Sequence, residues 1–221
     1  MRKILGTVFQ TLDGVMQAPG GPSEDPSDGF DLGGWQFGFP DEEAGEEIGK
    51  SLQPPYALLL GRRTYDIFAS YWPYHDGEDK AVADAFNAAE KFVMTHDDGP
   101  LEWAGSRRVS GFDELADIRG GDGPPLQIWG SSTLYPGLLE RQLLDRLTLI
   151  TYPLVLGKGK RTFGDGAPPT TLRFESGKTT AKGTAVASFV PELGVAIGES
   201  PLAKGNPTEA RRQERIAAGR W

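Results

Sequence analysis

Three apolar runs in this chain stop at a glycine with small or basic residues behind it. They are Tyr56–Gly61 before Arg62-Arg63-Thr64, Leu126–Gly130 before Ser131-Ser132-Thr133, and Leu147–Gly157 before Lys158. A short apolar run closed by glycine reads as a buried strand followed by a turn. The first two turns are expected to open helices at a hydroxyl residue. A helix start carries unpaired N–H groups and the positive end of the dipole, so it suits an anion. Two such starts in one domain point to a ligand with more than one phosphate.

The rest of the pattern fits around these runs. Residues 3–9 predict a first strand, ended by the Asp13-Gly14 turn. Residues 17–40 are a long loop rich in Gly, Pro, Asp and Ser, and 40–52 a helix with acids in its first turn. Strands are expected at 56–60, 91–95, 108–109, 126–129 and 146–156, with helices at 64–71, 79–89, 113–118 and 132–140. Residues 172–174 and 184–190 alternate partially, as antiparallel strands do. Alternating strands and helices followed by strands alone predict an α/β sheet, mostly parallel, with antiparallel strands at the C-terminus. Residues 1–197 read as one domain, and 198–221 as a polar tail that contains Pro201, Pro207 and a marginal basic helix at 209–220.

Composition narrows the function. The net charge of −8 argues against nucleic acid or an anionic membrane as the partner. Residues 24–47 hold nine Asp/Glu and no Lys or Arg, so the rest is near neutral and the glycine turns are locally basic. The chain has no cysteine and two histidines, His75 and His96, which excludes thiolate chemistry and leaves no multi-histidine metal site to expect. No apolar run approaches the ~20 residues of a membrane span and no signal pattern opens the chain. The expectation is a cytoplasmic protein.

Several residues carry two readings. Gly61, Arg62, Arg63 and Thr64 suit a phosphate through close backbone approach and forked donors, and equally suit an ordinary strand–helix turn with solvated arginines. Gly130, Ser131, Ser132 and Thr133 offer amides without charge, or a Ser-capped helix. Neither turn has a standard nucleotide fingerprint. Thr95 and His96 follow a strand and could reach a ribose, or lie idle at the surface. Asp13 and the acids Asp41, Glu42 and Glu43 are the candidates for proton chemistry, which requires burial to raise a pKa; otherwise they are a turn former and a helix start. Trp35 could stack on a flat ring or anchor its loop to the core.

The ordered set Gln10–Val15, Leu60–Tyr65, Trp72-Pro73, Val93–Thr95, Trp129–Tyr135 and Tyr152–Phe163 resembles the dihydrofolate-reductase-like family. Within it the chain looks most like the stand-alone form of the reductase domain of the bacterial riboflavin-biosynthesis deaminase-reductase, over about residues 2–191. The resemblance implies a three-layer αβα fold, a homodimer, and NADPH as hydride donor. It implies that Gly61–Thr64 hold coenzyme phosphates, with Arg62 at the adenosine 2′-phosphate and Thr95 and His96 beside it. It places Gly130–Thr133 on the pyrophosphate, Thr11–Val15 over the nicotinamide, and Leu154 in the segment beneath the ring. Asp13 or Asp41 would be the catalytic acid, and Trp35 and Lys160 would meet substrate. The implied reaction is reduction of a pyrimidine- or pterin-like heterocycle, with 5-amino-6-(5-phosphoribosylamino)uracil as type substrate. A dihydrofolate-like reductase and a non-catalytic NADPH-binding module are the alternatives. Folate reductases carry a single carboxylate on the first helix, where this chain has the cluster Asp41–Glu43.

Overall fold

In the computed structural model, which describes residues 1–164, 166–199 and 205–220, the run Ile4–Thr11 forms strand β1 inside an eight-stranded sheet. The chain then makes α1 (Glu42–Ser51), β2 (Ala57–Gly61), α2 (Arg62–Tyr71), α3 (Lys80–Ala88), β3 (Lys91–Met94) and β4 (Ser106–Val109). It continues through α4 (Phe112–Gly120), β5 (Leu126–Trp129), α5 (Tyr135–Glu140), β6 (Arg146–Tyr152), β7 (Thr170–Thr179), β8 (Ala185–Leu193) and α6 (Pro207–Ala217). The strand order is β4-β3-β2-β5-β1-β6-β8-β7, parallel from β4 to β6 and antiparallel across β6-β8-β7.

Helices cover both faces of the parallel part, so the fold is a three-layer αβα sandwich. On one face Ile4, Val8, Leu59, Phe92, Ile128 and Leu147 pack with Leu115 of α4 and Tyr135 and Leu138 of α5. On the other, Leu58, Leu60, Val93 and Trp129 pack with Tyr65 of α2 and Phe86 of α3, and Ile48 of α1 adds to them. All five residues of β2 are buried, which is why that strand reads as a continuous apolar run rather than an alternation. Each fully buried Leu or Ile contributes roughly 1.5–3 kcal/mol relative to exposure. Gly6 of β1 is bare because a Cβ there would lie 2.9 Å from the Tyr135 ring, which fills the space.

Several boundaries differ from the sequence expectation. The helix α2 begins directly at Arg62, not at Thr64. A 3-10 turn at Ser132–Leu134 precedes α5, whose first turn holds Pro136. β6 stops at Tyr152, because Pro153 has no N–H to continue the ladder. β7 is ten residues long and mostly exposed. Its ladder with β8 needs no apolar pattern at a solvated sheet edge, so only 172–174 stood out in the sequence. In the tail, the Asn206 side chain accepts the Thr208 amide and Glu209 pairs with Arg212, which gives α6 its caps and pairs but no buried residue. Pro201 lies outside the described residues. None of the described helices is long and apolar enough to cross a membrane.

Candidate active site

The strands β2 and β5 are neighbours whose following helices, α2 and α5, lie on opposite faces of the sheet. Crevices form outside the C-terminal ends of such strands. Here the two strands pair only through Ala57 with Leu126 and Leu58 with Gln127, and then part. Beyond that point a side chain takes over from the ladder. The Gly61 amide donates to Ser131 Oγ at 2.9 Å, and Ser131 Oγ donates to Thr64 Oγ1 at 2.9 Å. Ser131 holds a left-handed backbone (φ 58, ψ 58) after Gly130 at φ 88. That conformation costs a non-glycine residue roughly 1–2 kcal/mol, and it aims the hydroxyl at the neighbouring turn.

The two turns are therefore one surface. Gly61 is extended (φ −75), so no left-handed turn calls for glycine there; a Cβ would touch Ser131 Oγ at 3.4 Å, the edge of ordinary contact. It is the N-cap of α2 and supplies no side-chain acceptor, so the first amides of a ten-residue helix remain uncapped at the cleft. Uncapped amides, two hydroxyls and two arginines make a donor set that fits phosphate.

Arg62 is already engaged. Its Nε donates to Asp66 at 2.9 Å, and its Nη1 lies 3.5 Å from an Asp97 carboxylate oxygen. The loop after β3 folds onto it through Asp97, whose amide donates to Thr95 Oγ1 at 3.0 Å. Neither Thr95 nor His96 lines the cleft. Arg63, which is exposed, lies 3.5 Å from Asp25. Lys160 lines the cleft, yet its Nζ donates to Asp25 at 2.7 Å and to Ser27.

The cleft has a volume of ≈ 580 Å³. Its polar end is formed by Gly61–Thr64 and Gly130–Thr133, with Asp25 linking Arg63 of this end to Lys160. Its apolar end is formed by Ile48, Leu52, Phe68 and Trp72, while Phe86, 5.0 Å from Trp72 and 6.4 Å from Trp129, and Phe9, 6.1 Å from Trp129, line the stretch between. At about 1.5 Å per residue, α2 carries Trp72 about 15 Å from Arg62, which separates the two ends.

The carboxylates expected to handle protons, Asp13 and Asp41, are both engaged in local hydrogen bonds. Asp13 accepts from Thr11 Oγ1 at 2.5 Å, from the Leu156 amide at 3.2 Å and from the Gly157 amide at 2.8 Å. Burial raises its pKa, but these bonds outweigh burial and hold it below the ordinary value. Asp41 is the N-cap of α1, accepting from the Ala44 amide at 3.2 Å and Thr180 Oγ1 at 2.7 Å. Its pKa is also lowered, since burial is outweighed by those donors. Neither lines the cleft.

Glu24, which sequence reasoning passed over, does line it. Its Oε2 accepts the amides of Gly20 at 2.6 Å and Gly21 at 3.1 Å. Burial raises its pKa by more than these bonds lower it, and neighbouring Asp25 adds to the rise. One acid among nine in a Gly-rich loop carries no local signal that singles it out; its burial comes from the folding of the whole loop.

Thr11, Val15, Leu154 and Trp35 are brought together beside the cleft rather than in it. Thr11 and Val15 close a turn by backbone bonds, and Leu12 donates its amide to Leu154 O at 2.8 Å. Trp35 Nε1 donates to Gln17 O at 2.9 Å, and the indole meets Tyr152 edge-on at 5.5 Å. Trp35 therefore pins the long loop to the core.

Residues 2–186 match the family described as the RibD C-terminal domain. Among curated proteins, an uncharacterized Bacillus subtilis protein, YyaP, is 22% identical over 129 residues, which is 57% of this chain and 69% of that protein. A crystal structure from Shewanella sp. PV-4, provisionally assigned to riboflavin biosynthesis, superposes with a TM-score of 0.61 at 16% identity, covering 86% of this chain and 99% of that one. Dihydrofolate reductase from Enterococcus faecalis, solved with NADP(H) and RAB-propyl, gives 0.51 at 14% identity, over 86% of this chain and 96% of that one. A pyrimidine reductase-like protein from Corynebacterium diphtheriae gives 0.52 at 14% identity, over 86% and 92%. At these identities the structural matches speak for the fold.

Proposed function

The chain belongs to the RibD C-terminal domain family, and from that footing we propose that it is an NADPH-dependent reductase of a pyrimidine- or pterin-like heterocycle. One observation carries this reading. The Gly61 and Gly130 turns, locked together through Ser131, put uncapped amides and two arginines at one end of a cleft whose other end is aromatic. A dinucleotide has that polarity: phosphates at one end, flat rings beyond. When bound, the nicotinamide supplies the hydride.

The chain's own residues then bind, orient and protonate. Arg62 and Arg63 counter phosphate charge, and Ser131 fixes the spacing of the two turns. Glu24 lines the cleft and burial raises its carboxyl pKa, so it is the proton source to test. Asp13 and Asp41 hold loops in place. The reductase unit is residues 1–197, working in the cytoplasm as a homodimer, with 198–221 as an appendage.

Calorimetric titration with NADPH and NADH, followed by absorbance of the nicotinamide with a panel of pterins and pyrimidines, tests the proposal. Binding of NADPH in preference to NADH, with oxidation by one panel member, is the expected result. Binding without oxidation by any member would leave a coenzyme-binding module. Heat with neither coenzyme would remove the reading.

A further inference from the structure

We infer that the ring received in this cleft carries no phosphate; the inference rests on the reductase reading for the direction in which the cleft is filled. Three observations lead there. First, the apolar end presents Ile48, Leu52, Phe68 and Trp72, surfaces that suit the face of a flat ring. Second, α1 turns Gly45 and Gly49 to the cleft, one helical turn apart. A Cβ at either would meet nothing within 4 Å, so no neighbouring element needs them bare. Glycine inside a helix is unfavourable relative to alanine. What these two provide is room along the α1 backbone.

Third, the charges are in the wrong place for a phosphorylated substrate. Among the described residues, the cations lining the cleft are Arg62, Arg63 and Lys160, all at the polar end. Arg62 is held by Asp66 and Asp97, and Arg63 and Lys160 share Asp25. The ionisable group that lines the cleft nearest α3, Asp79, is acidic. A phosphate lodged among the aromatic residues would lose its hydration with no partner, and with Arg62 and Arg63 given to the coenzyme phosphates the remaining lining cation, Lys160, is held by Asp25. The phosphoribosyl type substrate of the riboflavin pathway would need such a partner; an unphosphorylated pterin- or pyrimidine-like ring would not.

The experiment uses the full chain, saturated with NADPH, and follows quenching of the Trp72 and Trp129 fluorescence. The probes are lumazine, and 5-amino-6-ribitylaminouracil with and without its 5′-phosphate. Lumazine and the unphosphorylated uracil should bind, with the phosphate ester weaker by at least about tenfold. Gly49→Leu, which improves helix propensity while filling the space, should abolish lumazine binding and leave the NADPH affinity within about twofold. Gly45→Leu serves as a second variant. Equal or tighter binding of the phosphate ester would overturn the inference, as would lumazine binding unchanged in both glycine variants. Failure of NADPH to bind would remove the coenzyme reading on which the inference rests, a failure distinct from equal binding of the phosphate ester by the NADPH-loaded chain.

Discussion

Ser131 Oγ accepts the amide of Gly61 at 2.9 Å, where β2 and β5 have ceased to pair. One hydroxyl in a left-handed residue thus does what a sheet ladder does elsewhere, and it leaves the cleft open while doing so.

Replacing Ser131 with alanine should therefore cost more than a surface change. The Gly61 amide is left buried without an acceptor, a loss of about 1–3 kcal/mol. Denaturant unfolding should show that decrease, and calorimetry a weaker NADPH affinity. Unchanged stability and affinity would mean that the two turns keep their spacing without the hydroxyl.

Arg62 sits between Asp66 and Asp97, so the coenzyme's extra phosphate competes with internal carboxylates. Arg62→Ala should erase the preference for NADPH over NADH. Asp97→Asn, by removing one competitor, should raise NADPH affinity by a few-fold, corresponding to about 1 kcal/mol or less for a pair this exposed. Titrations of both coenzymes against each variant check the pair of outcomes.

Glu24 has its carboxyl raised by burial, so as proton donor it works while protonated and fails as pH rises through that raised value. Turnover should fall on the alkaline limb in the natural chain. Glu24→Gln should turn over slowly with that limb gone, while its NADPH affinity holds. A variant with the same limb would clear Glu24 of the role.

Asp145 gathers the start of β1 and the end of α4, accepting the Ile4 amide and pairing with Lys3 and Arg119, each at 2.9 Å. Burial raises its pKa, but these partners outweigh burial and set it below the usual 3.8. A folded pKa below the unfolded one gives stability that is full above the unfolded value and lost as pH falls through the folded one. Thermal melts across the acid range should show the loss, and Asp145→Asn should be less stable at neutral pH with a shallower acid dependence.

Tyr135 has its hydroxyl buried without a partner, against the bare face of Gly6. Removing a buried unpaired polar atom in an otherwise conserved shape should be neutral or stabilising, by up to about 1–3 kcal/mol for Tyr135→Phe. Gly6→Ala should destabilise by roughly 1–3 kcal/mol, since the ring has to move. Denaturation midpoints of the two variants should shift in opposite directions, or only that of Gly6→Ala should fall.

The sequence by itself settled the elements whose signal is local. The run Ala57–Gly61 is an example: Leu58, Leu59 and Leu60 are buried on both faces of the sheet, so they stand out in any window. The strand–helix alternation built from such runs fixes the α/β class and its antiparallel end. The motif order from Gln10 to Phe163 likewise reached the family, because turns that approach one another need particular small residues at fixed places. What it could not show depends on neighbours distant in the chain. That the Gly61 amide meets Ser131, seventy positions later, follows only from β2 lying next to β5. Thr64 and Thr95 look alike as hydroxyls after a strand, yet one faces the cleft and the other caps Asp97. Asp13 and Glu24 are both acids beside glycine-rich turns; the amides of Leu156 and Gly157 lower one, and burial in the folded loop raises the other. Hydrophobic period and turn chemistry are written residue by residue, whereas burial and hydrogen-bond partners exist only once the strands have chosen their order.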